Sequence, residues 1–273
     1  MSALVVGDDE LPAEEVSAWT KEKHQRLRRY LDISRAARNM FLTGPSKSAT
    51  FIDLFCGPGR ARVKETGEWI DGSAVAAWKI SQTNGAPFSE IYIADIDGER
   101  RAAAAERLRR LKAPVHELAG SAADAAREVA TILHRFGLHV AFIDPFSLGA
   151  LDFKIIQSLA QLKRMDMLIH VSAMDLQRNL GIYLDPDDTT LDRFAPGWRA
   201  KVNRGRPQRE IRGQIVAYWR ELVAGLGKRP STRMELISGS NQQRLYWLLL
   251  AAENKLAHRF WDIATDTGQG TLL

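Results

Sequence analysis

The segment 51–59, with the sequence FIDLFCGPG, holds the residues whose types and spacing are best suited to binding a small molecule. Its apolar start predicts a buried strand over 50–54. Asp53 lies near the end of that strand, and Gly57 and Gly59 follow with one residue between them. Glycines at this spacing predict a tight turn in which the backbone passes close to a ligand. Such a turn after a strand is typical of sites for adenosine-bearing cofactors.

Three classes of cofactor can use a glycine turn of this kind. The phosphate-binding loop of nucleoside triphosphatases requires a Gly-Lys-Ser/Thr ending, which this segment lacks. The dinucleotide fingerprint requires a third glycine three residues after the second, and the chain has Arg62 there. It also requires a helix to begin at once, whereas 62–72 is polar and rich in turn-forming residues. Both patterns are therefore weak, and the third class, S-adenosylmethionine, is favoured.

S-adenosylmethionine presents a charged amino-acid end, a ribose diol and an adenine, and residues suited to each follow the predicted strands in order. We predict these cofactor-binding residues: Asp53, Phe55, Gly57, Pro58 and Gly59 after the first strand, Asp95 and Ile96 after the second, Ser121 and Ala122 after the third, and Asp144 after the fourth. The first group suits the methionine end, the second the ribose and the third the adenine. Asp95, Asp97 and Ser121 can instead cap the helices that follow them. We assign the cap to Asp97 and the ribose to Asp95.

The sequence Asp144-Pro145-Phe146-Ser147 follows the fourth predicted strand. We predict catalytic roles for the first three: the acid accepts a hydrogen bond from an exocyclic amine, the proline stiffens the strand exit, and the ring stacks on a base. The segment partly resembles the Asp-Pro-Pro-Tyr/Phe box of amino-methyltransferases that act on adenine or cytosine. Phe146 stands where that box has its second proline, so amino-group chemistry stays open. The alternative is a cofactor-binding or helix-capping Asp144 and a Phe146 in the core.

Cys56 is the only cysteine of the chain, and the surrounding DLFCG resembles the first motif of cytosine C5 methyltransferases. Those enzymes carry their nucleophilic cysteine after a proline that follows the fourth strand. Here Pro145 is followed by Phe146 and Ser147 instead. Covalent catalysis is therefore disfavoured, and Cys56 is predicted to pack behind the glycine turn.

Alternating strands and helices must position these residues. The sequence predicts strands at 50–54, 90–94, 115–118, 139–143 and 166–172, separated by helices at 73–83, 98–111, 122–135 and 152–163. This alternation predicts a doubly wound α/β sheet of parallel strands, the Rossmann-like sheet of S-adenosylmethionine-dependent methyltransferases. Two apolar runs, 234–237 and 244–250, flank a turn signal at 238–241 and predict an antiparallel C-terminal hairpin. A final helix is predicted near 252–264.

We predict three parts: a loose N-terminal tail (1–18), a Rossmann-like domain with a basic N-terminal helix (19–175 and 231–273), and a basic helical insertion (176–230) that serves as a substrate or partner module. The chain has 273 residues and 45% apolar content, which is enough for one large core. The single cysteine and the absence of a signal-peptide or membrane-spanning pattern predict a cytoplasmic protein. No His, Cys or Asp spacing predicts a metal site.

A formal net charge of +5 favours an anionic partner, nucleic acid first. The helix 20–40 and the segment 193–212 are basic, and Phe194 and Trp198 lie among the arginines of the second. Basic residues mixed with aromatic rings suit phosphate contacts and stacked bases. We predict these substrate-binding residues: Lys23, His24, Arg178, Asn179, Arg199, Arg204 and Arg206. A solvated surface loop and a protein substrate are the alternatives.

Several further motifs extend over most of the chain: WTKEKH at 19–24, FIDLFCGPGR at 51–60, FIDPF at 142–146, MDLQRNL at 174–180 and YWLL at 246–249. With these motifs the chain resembles the three-Cys-motif partner (TcmP) family over about residues 19–262. The resemblance implies a methyltransferase-like Rossmann domain, often encoded beside a protein with a three-cysteine motif like that of radical enzymes. We therefore expect an S-adenosylmethionine-binding, methyltransferase-like protein that acts on nucleic acid at the ends of strands one and four. The alternative is a non-catalytic cofactor- or nucleic-acid-binding partner of a three-cysteine-motif enzyme.

Overall fold

The computed structural model describes residues 3–232, 234–238 and 244–266. The strands are β1 (Leu4–Val6), β2 (Pro12–Val16), β3 (Ala49–Asp53), β4 (Arg60–Val63), β5 (Trp69–Asp71), β6 (Glu90–Ala94), β7 (Val115–Leu118), β8 (Leu138–Ile143), β9 (Met165–Val171), β10 (Arg229–Pro230), β11 (Glu235–Ser238) and β12 (Arg244–Ala252). The helices are α1 (Trp19–Ile33), α2 (Arg35–Thr43), α3 (Ser73–Thr83), α4 (Gly98–Arg110), α5 (Ala122–Ile132), α6 (Phe153–Ala160), α7 (Ala173–Tyr183), α8 (Thr190–Phe194), α9 (Gln208–Gly225) and α10 (Lys255–Thr265).

An eight-stranded sheet positions the site. Its order is β10-β12-β9-β8-β3-β6-β7, with β11 also paired to β12. The five strands from β9 to β7 are parallel, and β12 runs antiparallel to β9. β6 and β8 pair with β3 on its two opposite edges, so the strand order reverses at β3. The carboxyl ends of the strands at such a reversal form the crevice in which open α/β sheets bind ligands.

The predicted parallel sheet and the antiparallel pairing of β11 with β12 are confirmed. Most of the turn predicted at 238–241 lies outside the described residues. Strands β3 and β9 are buried at every position, as expected for strands covered by helices on both faces. Helices α1, α3, α4 and α10 cover one face, and α5, α6, α7 and α9 cover the other. No helix in the described ranges combines the length and apolar character needed to cross a membrane.

The loose tail predicted at 1–18 is wrong for most of its length, because β1 and β2 form a second sheet with β4 and β5 in the order β1-β2-β4-β5. Two arginines of α4 hold this segment. Arg107 is 5% exposed and donates to Asp9 Oδ2 at 2.7 Å and to the Pro12 carbonyl at 2.7 Å. Arg100, also 5% exposed, donates to Glu14 Oε2 at 2.8 Å. These ion pairs and hydrogen bonds hold the N-terminal segment in place. Because the segment has no apolar strand pattern, its sequence predicted a loose tail.

The segment 176–230 packs its aromatic residues into the main core. Phe194, Trp198 and Trp219 are fully buried, and the rings of Phe194 and Trp219 stack with centroids 5.3 Å apart. Trp198 Nε1 donates to Asp192 Oδ1 at 2.9 Å. The expectation that Phe194 and Trp198 stack on bases is therefore wrong, because both rings are buried in the core. Burial of large aromatic side chains contributes strongly to the stability of a core.

Candidate active site

A cavity of about 700 Å³ opens at the carboxyl ends of β3, β6, β7, β8 and β9. The predicted residues that line it are Lys23, His24, Phe55, Gly57, Asp95, Ile96, Ser121, Ala122, Asp144, Pro145 and Phe146. Glu14, Trp19, Arg100, His170 and Tyr246 line it as well. The structure thus brings together residues that are as much as 230 positions apart in the chain, at the edge where sheets of this topology bind ligands.

The glycine turn after β3 depends on two left-handed residues, Gly57 (φ 56°) and Gly59 (φ 81°). A Cβ atom on Gly59 would lie 3.0 Å from the Cα of Ala104 in α4, so this glycine allows the helix to approach the turn. A Cβ on Gly57 would lie 3.2 Å from Glu14 Oε1, at the cavity surface. The two glycines therefore have different tasks: Gly59 packs against a helix, and Gly57 leaves backbone open to the cavity.

Asp53 lies beneath the cavity wall and is fully buried. It accepts hydrogen bonds from Phe55 N at 3.2 Å and from the Ser73 hydroxyl. Burial raises the pKa of Asp53 to about 7, despite these two donors, with Asp144 and Asp95 adding to the rise. Asp53, Pro58 and Gly59 are not among the lining residues, and the acid that lines the cavity beside Gly57 is Glu14 of β2. The sequence did not predict Glu14 as a site residue, because β2 lies within the segment 1–18 that was predicted to be a loose tail.

The ends of β6 and β7 place their predicted residues at the cavity. Asp95 Oδ2 accepts a hydrogen bond from Gly57 N at 3.0 Å, so the Asp95 carboxylate connects the end of β6 to the glycine turn after β3. Its Oδ1 accepts a hydrogen bond from Asp97 N at 2.9 Å. Asp97 caps α4, as predicted, by accepting from Glu99 N at 2.9 Å. Ser121 both lines the cavity and caps α5. Ile96 is 66% exposed and lines the cavity.

Asp144, just after the end of β8, has two hydrogen-bond partners, one on each carboxylate oxygen. Its Oδ2 accepts a hydrogen bond from the Lys23 ammonium of α1, and its Oδ1 lies 2.6 Å from Nδ1 of His170 on β9. Burial opposes ionisation of Asp144, but the Lys23 charge and the His170 hydrogen bond outweigh it, and its pKa lies well below the usual range. Asp144 lines the cavity and is an anion whose two oxygens each already have a hydrogen-bond partner.

Aromatic rings enclose this ion pair. The Lys23 ammonium lies 5.5 Å from the ring centre of Trp19 and 5.9 Å from that of Tyr246. The rings of His170 and Tyr246 meet edge to face with centroids 4.1 Å apart. Burial lowers the pKa of His24 to about 3, and it also lowers the pKa of His170. Both imidazoles are thus neutral at pH 7. Burial likewise raises the pKa of the Cys56 thiol, in keeping with a packing role.

His170 and Tyr246 are two further lining residues that sequence reasoning missed. Each lies inside a predicted buried strand, β9 or β12, where a polar residue is unusual unless it is paired. That signal was present in the sequence, because His170 interrupts the apolar run 167–171. The partner that explains it, Asp144, is 26 positions away and becomes visible only when β8 and β9 pair.

The remaining predicted substrate residues lie outside the cavity. Asn179 donates to Asp175 Oδ1 at 2.5 Å, inside a network that also holds Leu148 N and the Tyr183 hydroxyl. Arg178 is exposed on α7. Arg199 donates to Asp192 and to the carbonyls of Pro186 and Asp188, so it braces its own loop. Arg204 and Arg206 are exposed. Arg193, which was not predicted, is the arginine of this region that lines the cavity.

Solved structures with a similar fold include several methyltransferases. The carbon methyltransferase DszA matches with a TM-score of 0.52 and 12% identity, over 87% of this chain and 55% of that one. An O-methyltransferase from Bacillus cereus in complex with SAH matches with a TM-score of 0.47 and 12% identity, over 87% and 82%. Protein LPL1258 from Legionella pneumophila matches with a TM-score of 0.47 and 10% identity, over 84% and 85%. Neither a family model nor a curated protein sequence matches the chain.

The strand order and the match to DszA together define the class of fold. The chain has the Rossmann-like fold of S-adenosylmethionine-dependent methyltransferases, as its sequence predicted. The resemblance to the three-Cys-motif partner family stays a prediction.

Proposed function

We propose that this protein binds S-adenosylmethionine in the cavity and transfers its methyl group to an acceptor held beside Asp144. One observation carries the proposal: residues from the ends of five parallel strands and from α1 line a single cavity of about 700 Å³. That volume lies within the range of about 300–1,000 Å³ common for small-molecule sites. It leaves space for a cofactor and for part of an acceptor.

The residues present fit the cofactor. Gly57 supplies backbone without a side chain where a Cβ would fill the space beside Glu14, and the Glu14 carboxylate suits an ammonium at the amino-acid end. Asp95, already at a strand end, suits the ribose hydroxyls. Ile96 and Ala122 offer apolar contact to a flat base. When bound, the cofactor supplies an electrophilic methyl group on a positively charged sulfur.

The chain's own contribution to such a transfer is to bind, orient and exclude water. Holding two reactants in attacking geometry supplies a large part of the acceleration of a displacement reaction. Trp19, Tyr246 and Pro145 wall the end of the cavity that contains Asp144. Phe146, at 68% exposure, stands at the rim, where a flat acceptor can stack on it.

Asp95→Ala is expected to weaken binding of S-adenosylhomocysteine at least about tenfold, because it removes a charged hydrogen-bond acceptor worth about 1.5–3 kcal/mol. Titration calorimetry measures the effect. Asp97→Ala is the matched control: it removes a neighbouring carboxylate that caps α4 but does not line the cavity, so affinity is expected to stay within about threefold. No binding by the unaltered protein would reject the cofactor, and equal losses in both variants would reject the role of Asp95.

Nucleic acid is the acceptor class that we propose, on the ground of charge. Arg204 and Arg206 are exposed in a loop of the segment 176–230, and the ion pair of Arg206 with Glu210 is 4.0 Å long. Exposed arginines of this kind are available for phosphate contacts, which release counterions and make affinity depend on salt.

Reversing both charges, Arg204→Glu with Arg206→Glu, is expected to lower affinity for a 20-nucleotide single strand of RNA or DNA about tenfold or more at 50 mM salt and to flatten the salt dependence. Fluorescence anisotropy measures both quantities. Arg109→Glu with Arg110→Glu changes the net charge equally on α4 and is the control. If the two double variants lose affinity equally, the loop has no special role. Binding of nucleic acid without methyl transfer would favour the non-catalytic alternative.

A further inference from the structure

We propose that His170 is the proton acceptor of the transfer, that Asp144 positions it, and that the acceptor group is therefore a hydroxyl or an amine that loses a proton as it is methylated. The inference rests on the proposed function and adds to it the chemical class of the acceptor. The sequence predicts only that Asp144 accepts a hydrogen bond from the acceptor, whereas this inference assigns the base to a residue with an unused nitrogen.

The tautomer of His170 follows from its contact with Asp144. Nδ1 of His170 lies 2.6 Å from Oδ1 of Asp144, whose other oxygen accepts from Lys23. Because Asp144 is an anion and can only accept, Nδ1 carries the proton. In a neutral imidazole the second nitrogen then has a free lone pair. The carboxylate thus fixes both the ring orientation and the nitrogen that is basic.

That second nitrogen is buried on a residue that lines the cavity. Nε2 of His170 has no hydrogen-bond partner among the described residues, and the His170 side chain is 9% exposed. Two other buried atoms on lining residues, Nδ1 of His24 and the Tyr246 hydroxyl, also have no partner in the described part of the chain. A buried polar atom without a partner costs about 1–3 kcal/mol. Three such atoms on residues that line one cavity favour a polar ligand that completes them.

The charges around His170 suit a base rather than an acid. Asp144 raises its pKa through the hydrogen bond and its charge, while Lys23 and burial lower it, and the net direction is downward. Two of the other titratable residues that line the cavity are His24, which is neutral, and Tyr246, whose pKa burial raises. His170 is therefore unprotonated at pH 7 and ready to accept, and the Asp144 carboxylate stabilises the imidazolium once it forms.

The chemistry balances with a protic acceptor. The acceptor oxygen or nitrogen forms a bond to the methyl carbon, the carbon–sulfur electron pair stays on sulfur, and the acceptor proton passes to Nε2. The positive charge that leaves sulfur thus reappears on the imidazolium beside Asp144. If the acceptor has no proton to lose, the transfer needs no base and His170 has no role in it. The Tyr246 hydroxyl, kept protonated by its raised pKa, can donate to the acceptor's second lone pair.

Nitrogen-15 NMR of the full chain tests the tautomer without any substrate. We expect the His170 signals at pH 7 to be those of a neutral ring protonated on Nδ1. Asp144→Asn should lower the pKa of His170, and Lys23→Met should raise it, because the two neighbours act with opposite sign. A histidine whose pKa is shifted by burial alone would keep the same pKa in both variants. A ring protonated on Nε2 at pH 7 would overturn the proposal.

Binding of two cofactor analogues tests the location. In sinefungin an amine-bearing carbon replaces the sulfonium centre, so its amine marks the position of the methyl group. We expect sinefungin to bind at least about tenfold more tightly than S-adenosylhomocysteine, because its amine donates to Nε2 of His170. His170→Phe should remove this preference and leave affinity for S-adenosylhomocysteine within about threefold. Tyr246→Phe, which deletes only a hydroxyl beside it, should keep the preference.

The outcomes separate the two proposals. If neither analogue binds the unaltered protein, the proposed function fails and this inference falls with it. If S-adenosylhomocysteine binds but the preference for sinefungin is absent, or survives in His170→Phe, cofactor binding stands and His170 is not the base. Should His170→Phe not fold, the opposite shifts in Asp144→Asn and Lys23→Met decide the question.

Discussion

Gly59→Ala is expected to lower the free energy of unfolding by about 3 kcal/mol or more. Gly59 has a φ of 81°, and a side chain held in the left-handed region costs about 1–2 kcal/mol. A Cβ there would also lie 3.0 Å from the Cα of Ala104 and 3.3 Å from a methyl group of Val75. Because these atoms belong to two packed helices, the clash adds about 1–3 kcal/mol of overpacking. Urea unfolding measures the loss.

Gly85→Ala separates the cost of the left-handed backbone from the cost of the steric clash. Gly85 has a similar φ of 73°, but a Cβ there would meet nothing within 4 Å. We therefore expect this variant to lose only about 1–2 kcal/mol, the backbone cost alone. If both variants lost the same amount, close approach between the turn and α4 would not be what requires Gly59.

Lys23→Met is expected to destabilise the protein by about 3 kcal/mol, at the lower end of the loss measured when one partner of a buried ion pair is removed. The side chains of Lys23 and Asp144 are only 8% and 14% exposed. Without Lys23 a buried carboxylate keeps one partner, His170, and uptake of a proton by that ring compensates part of the lost charge. Chemical unfolding at pH 7 measures the loss.

Two comparisons make this test specific. Lys21→Met, on the same helix, breaks an ion pair with Glu68 whose side chains are 36% and 56% exposed, and such surface pairs contribute at most about 1 kcal/mol. Lys23→Met with Asp144→Asn removes both charges and should recover most of the loss. The wild-type pair stabilises the fold above the usual pKa of an aspartate, and this contribution disappears as pH falls through the lowered pKa of Asp144. The gap between Lys23→Met and wild type should therefore narrow toward acid pH.

The sequence alone was sufficient for the main sheet, although not for the second sheet that β1, β2, β4 and β5 form. The apolar runs that became β3, β6, β8 and β9 are short and buried at nearly every position, and the polar helices between them repeat with the period of an α/β sheet, so the type and order of these elements followed from local pattern. The helix cap at Asp97 and the left-handed glycines at 57 and 59 are local features as well. Each depends on residues within a few positions, and this is why they could be predicted.

The tertiary structure decided which polar groups meet. Lys23 and His170 reach Asp144 from 121 and 26 positions away, and no periodic pattern encodes a contact of that kind. Arg107 and Trp198 resemble surface residues in the sequence, yet both are buried by specific partners. An ion pair or an orphaned nitrogen is defined by distance and burial, which only the packing of distant strands creates. The glycine turn could therefore be predicted from the sequence, whereas the base beside it could not.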